Sequence, residues 1–69
     1  MKINYYKKKE MQPMYAWGPE VDMTGVSISQ TDKENGSPKI GDMIAINPNF
    51  GNDRWLIDSQ FFEENYEPA

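Results

Sequence analysis

Apolar residues along this chain recur mostly at alternate positions, the period of an extended strand rather than a helix. Ile3 and Tyr5 share one face if extended, which predicts a short edge strand over residues 3–6. In Pro13–Trp17, Tyr15 and Trp17 point one way and Met14 and Ala16 the other, and Gly18-Pro19 ends the strand. Gly25–Ser29 alternates with Val26 and Ile28 facing in and Ser27 and Ser29 facing out. Residues 30–38 are polar, and Asn35-Gly36 marks a turn. One helical turn within Thr31–Asn35, stopped by Gly36, suits that stretch. Ile40–Asn47 is the most apolar run, short and rich in β-branched side chains, and reads as a buried strand. A turn over Pro48–Asp53 leads to a second strand, Arg54–Asp58, with Trp55 and Ile57 on the core side.

The period changes only at Ser59–Tyr66. Phe62 and Tyr66 are four apart and share a helical face, Asp58 or Ser59 can cap the start, and Pro68 cannot continue the helix. Glu63 and Glu64 are placed near the start, where the helix dipole favours them. The expected fold is mostly β within the α+β class. It is a small antiparallel, SH3-like curled sheet with one short C-terminal helix, built as a single domain over residues 1–69. Val26, Ile28, Ile44, Ile46, Trp55, Ile57 and Phe62 are expected to form one apolar layer.

Composition narrows the chemistry. The 69 residues include no Cys and no His, which removes disulfides, ordinary zinc sites and the commonest general base at neutral pH. The serines have no His to activate them, and Lys39 reads as solvated, so a hydrolase is not expected. An Asp42–Asp58 acid–base pair has nothing to set its separation. With Gly36 at position 6 of a calcium loop, Thr31 falls at position 1 and Asp42 at position 12, which does not match. No glycine-rich loop opens a helix for phosphate. Asn35-Gly36-Ser37 is a glycosylation sequon by chance. No enzyme activity and no cofactor are therefore expected.

Charge is distributed unevenly. Lys2, Lys7, Lys8 and Lys9 against Glu10 leave the first ten residues at +3, while Lys33, Lys39 and Arg54 stand against ten acidic residues in the remainder. Lysines on an edge strand guard it against aggregation. Tyr5, Tyr6 and Lys7–Lys9 also have the ingredients of a single-strand nucleic-acid contact, but the −7 balance of the rest opposes it. No apolar run can span a bilayer, and the opening Met-Lys-Ile-Asn-Tyr-Tyr-Lys carries no secretory segment. Neither membrane nor nucleic acid is the expected partner.

Ser37-Pro38-Lys39-Ile40-Gly41-Asp42-Met43-Ile44-Ala45-Ile46-Asn47-Pro48, then Trp55-Leu56-Ile57, then Phe61-Phe62-Glu63-Glu64-Asn65-Tyr66-Glu67-Pro68, resembles small uncharacterised proteins of tailed phages and prophages. Gly25–Ser29 follows the same pattern, and the likeness covers about two-thirds of the chain. Ile46 departs from the arginine of that pattern. The resemblance implies a phage origin and a place in the cytoplasm of the infected bacterial host, and small phage proteins often act by binding host proteins.

The expected function is thus binding and modulating, as an inhibitor, a host protein such as a defence or transcription component. The acidic residues Asp53, Asp58, Glu63, Glu64 and Glu67 would face a basic surface on it. Phe50 stands alone in a polar turn, beside Arg54, as a candidate anchor. Trp17, before Gly18-Pro19, is a second. The alternatives are a virion or assembly accessory that self-associates into a homo-oligomer, and a minor nucleic-acid-binding regulator using the N-terminal Tyr/Lys segment.

Overall fold

The computed structural model describes residues 3–7 and 11–68. Its strands are β1 (Asn4–Lys7), β2 (Met11–Ala16), β3 (Val26–Ser27), β4 (Met43–Asn47), β5 (Phe50–Ile57) and β6 (Glu67–Pro68). Two helices, α1 (Gln30–Glu34) and α2 (Ser59–Asn65), complete the chain. The strands form one sheet in the order β3-β5-β4-β2-β1-β6. The fold is small and mostly strand, as the alternation predicts.

Three expectations are corrected. The sheet is mixed rather than antiparallel, because β3 runs parallel to β5, pairing Val26 with Arg54 and Ser27 with Trp55. There are two helices, not one. The first strand is not an edge, because β6 pairs with it on its outer side through Tyr6–Pro68 and Lys7–Glu67. Lys8 and Lys9, expected to guard that edge, lie outside the described residues.

The hairpin is where the apolar run places it. Met43 pairs with Ile57, Ile44 with Leu56 and Ala45 with Trp55, while Met14 and Tyr15 on β2 pair with Ala45 and Ile44. The turn is tighter than expected. Pro48 and Asn49 alone form it, and Phe50 already belongs to β5. The register then shifts, since Asn47 pairs with Phe50 but Ile46 with Arg54, so Gly51–Asp53 bulge from the ladder.

The core is not one layer. Met14, Met43, Ala45 and Ile57 lie on one face with Tyr6, Trp55, Phe62 and Tyr66 packed against them. Tyr15, Ile44 and Leu56 lie on the other, covered by Trp17, Val21, Met23, Val26, Ile28 and Ile46. Successive strand residues face opposite sides, so a strand covered on both faces reads as a continuous apolar run instead of an alternating one. This explains Met43-Ile44-Ala45, all buried. It also divides the seven residues expected in one layer between two faces. Of these only Ile44 and Ile57 are fully buried, and the rest are half-buried. Ile40, expected within the buried strand, is 73% exposed in the turn before it.

Local signals set the helices. Ser29 caps α1 through its hydroxyl, which accepts from the Asp32 N–H, and Gly36 follows with φ +94°. Asp58 caps α2, accepting from the N–H groups of Gln60 and Phe61. The ring of Phe62 stacks on Tyr66 at 6.0 Å and meets Tyr6 edge-on at 4.9 Å, which holds α2 on the sheet. Glu63 and Glu64 fall in the later part of α2, with no acidic residue in its first turn, so the dipole does not favour them as expected.

Candidate binding surfaces

The main buried polar group is Asp42, just ahead of β4. Its side chain is fully buried and accepts from Ser37 Oγ at 2.7 Å, the Lys39 N–H at 2.9 Å, the Ser59 N–H at 2.9 Å and Lys39 Nζ at 3.2 Å. Lys39 Nζ also reaches Asp58 Oδ1 at 2.8 Å. Gly41 permits this turn twice over. Its φ is +101°, and a Cβ there would sit 3.1 Å from Ser59 Cβ.

Burial alone would raise the Asp42 carboxyl, but the hydrogen bonds from Ser37, Lys39 and Ser59 outweigh it and hold the pKa below the usual value. Lys39 keeps 38% of its side chain exposed, but it is not free. Its ammonium is bonded to both carboxylates, chiefly Asp58, and its pKa is raised. A lysine held protonated cannot take a proton from Ser37, although its Nζ lies 3.2 Å from that hydroxyl. Asp42 and Asp58 are bridged by this ammonium, which occupies both as ion-pair partners. The cluster ties the 37–42 turn to the start of α2. Among the described residues, no group of three or more acidic side chains is placed to hold a metal ion.

The candidate contact residues fall at different places. Phe50 is 69% exposed at the turn end of the hairpin, and Asp53 is exposed in the bulge beside it, accepting from Asn47 Nδ2 at 3.1 Å. Met11, at the start of β2, is 52% exposed at the same end of the sheet, and its register partner Lys7 pairs in turn with the exposed Glu67. The sequence reading did not single out Met11. Its position before a buried Pro13-Met14-Tyr15 run is the only signal it carries.

Arg54 turns inward instead of joining Phe50. It donates from Nη2 to the Thr24 carbonyl at 2.8 Å and from Nη1 to the Tyr15 hydroxyl at 3.5 Å. It borders a cleft of about 520 Å³ with Tyr15, Val21, Glu20 and Asp22. Asp22 has a lowered pKa because the Thr24 hydroxyl and N–H bond to it, with Arg54 adding a smaller attraction.

Trp17 lies at the far end of the sheet from Phe50, its N–H donating to the Asp42 carbonyl. Four strand steps along β4, at ~3.3 Å each, separate the two ends by roughly 13 Å. Trp17 is half-buried against the Tyr15 cluster, and its indole Nε1 is buried with no hydrogen-bond partner among the described residues. Asp58 is engaged as cap and ion-pair partner, while Glu63 and Glu64 are exposed on α2.

A second cleft, of about 450 Å³, lies between α1, the end of β5 and α2, with Asp32, Trp55, Asp58, Phe61 and Tyr66 in its wall. Burial raises the Tyr66 phenol pKa. None of the described helices is long and apolar enough to cross a membrane. No family model matches the chain, and neither the curated proteins nor the solved structures offer a match to it.

Proposed function

We propose that this chain is a non-enzymatic, phage-encoded binding module that attaches to a host protein, such as a defence or transcription component, and inhibits it. The single observation that carries this reading is Phe50. A phenylalanine 69% exposed at the end of a hairpin contributes little to its own core and is available to fill a pocket on another surface. Met11, exposed at the same end, widens the apolar contact. Asp53 and Glu67 flank that end with negative charge, suited to a basic rim on the partner. The curled, SH3-like form expected of the sheet belongs to this reading as well.

The test is a pulldown from host lysate with wild type and Phe50→Ala, followed by a binding measurement on the captured protein. Truncating an exposed anchor weakens binding by about 2 kcal/mol or more, while stability stays within about 0.5 kcal/mol of wild type. A variant that binds its partner as tightly as wild type removes Phe50 from the interface. A mass that grows with concentration and no captured host protein would favour a self-associating assembly part instead.

A further inference from the structure

We propose that Gln12 is a positioning residue of the Phe50 surface, its side-chain amide taking the place of the N–H that Pro13 lacks and tying the start of β2 to the end of β4. The Trp17 N–H donates to the Asp42 carbonyl at 2.9 Å, one step beyond the Ala16–Met43 pair of the β2–β4 ladder. Donor positions in an antiparallel pair recur at every second residue. Tyr15 therefore meets Ile44 next, and the same register sets Pro13 opposite Ile46. Proline carries no N–H, so the Ile46 carbonyl has no main-chain donor there. Gln12 supplies one. Its Nε2 donates to the Ile46 carbonyl at 2.8 Å and to the Pro13 carbonyl at 2.9 Å. Carbonyl oxygens only accept, so the amino end of the amide must face them, and both of its protons are used.

Proline is ordinarily confined to edge strands and bulges. Pro13 is buried in β2, which lies between β1 and β4, and the Gln12 amide makes good the bond it removes. The tie also falls at the end of the sheet that carries the exposed apolar side chains. Met11 precedes Gln12, and Ile46 precedes Asn47, the register partner of Phe50. Met11 and Phe50 thus stand on strands to either side of β4, and Gln12 fixes one of those strands to it. The β4–β5 ladder is itself interrupted there by the Gly51–Asp53 bulge, so fewer main-chain bonds hold this end than the Met43–Ile57 end. The positioning role rests on the reading of Phe50 as the contact residue, whereas the bond itself does not.

The experiment is amide hydrogen exchange by NMR on the full chain, in wild type, Gln12→Ala, Pro13→Ala and the two combined. In wild type the Gln12 side-chain protons should exchange roughly tenfold more slowly than those of the exposed Gln30 and Gln60. Gln12→Ala should speed exchange at Met11, Asn47 and Phe50 several-fold and leave Ile44 and Leu56 as in wild type. Adding Pro13→Ala should return those rates towards wild type, because the new backbone N–H can donate to Ile46. A glutamine needed only for packing would not be replaced by an N–H at the next residue. Exchange is read on the protein alone, so it fails separately from the Phe50 reading. Rescue of exchange together with undiminished host capture by Phe50→Ala overturns the positioning role. Gln12 protons that exchange as fast as those of Gln30 and Gln60, or a combined variant as loose as Gln12→Ala, overturn the bond as well.

Discussion

The backbone N–H of Ser59 donates to the buried carboxylate of Asp42 at 2.9 Å, joining the turn before β4 to the first residue of α2. Seventeen residues separate the two in sequence. The same carboxylate collects the Ser37 hydroxyl and both the N–H and the ammonium of Lys39. One side chain thus satisfies donors from both segments that flank the Met43–Ile57 end of the β4–β5 ladder.

Removing that acceptor should be severe. In Asp42→Ala the Ser37 hydroxyl, the Ser59 N–H and the Lys39 N–H lose their common acceptor, and each buried donor left without a partner costs about 1–3 kcal/mol, several kcal/mol together. A domain of this size holds roughly that much stability in all, so the variant should be largely unfolded at room temperature. Asp42→Asn keeps the shape and one carbonyl acceptor and should fall between it and wild type. Urea denaturation followed by tryptophan fluorescence measures the difference. An Asp42→Ala variant with a wild-type midpoint would show that the network contributes little.

The same cluster contributes to both ends of the pH range, beside Asp22 at the acid end and Tyr66 at the alkaline end. Asp42 and Asp58 have folded pKa values below their unfolded ones, so their contribution is fully present above about pH 4 and fades as pH falls through the folded values. Lys39 is raised, so its contribution is complete below about pH 10 and fades as pH climbs through its folded value. Thermal melts should therefore give a plateau between these limits and fall on both sides. Lys39→Met should flatten the alkaline limb, and an unchanged alkaline limb in that variant would count against the ion pairs.

Trp17 offers a test of a different kind. Its indole N–H is buried without a partner among the described residues, an arrangement that costs the desolvation of the donor. Trp17→Phe removes the donor while keeping an aromatic ring against the Tyr15 cluster. The lost packing and the relieved donor oppose each other, so stability should change by less than about 1.5 kcal/mol in either direction. A loss well beyond that, measured by denaturation, would mean that the indole nitrogen is bonded in solution.

Much of this molecule follows from short-range chemistry. The cap at Asp58, the stop at Gly36 and the Phe62–Tyr66 face of α2 are set by residues within one or two turns of each other, which is why they are legible in the chain, whereas Ser29, expected at the end of a strand, caps α1 instead. The β4–β5 hairpin is legible for the same reason, because an apolar run followed by Pro48-Asn49 can close only on its neighbour.

What the sequence left open depends on which elements cover which face. Ile44 and Ile57 fall in different layers because the hairpin register sets Ile44 opposite Leu56, and both layers are buried because the 17–28 segment covers one face while α2 takes the other. The parallel pairing of β3 and the cover that β6 gives β1 are contacts between distant segments, to which local alternation is blind. Only the tertiary structure turned Arg54 away from Phe50 towards Thr24 and Tyr15. Only it drew Lys39 to two carboxylates, and gathered Asp32, Trp55, Phe61 and Tyr66 around one cleft. Residue types state what a side chain can bond to, and the packing of the two faces decides which partner comes within reach.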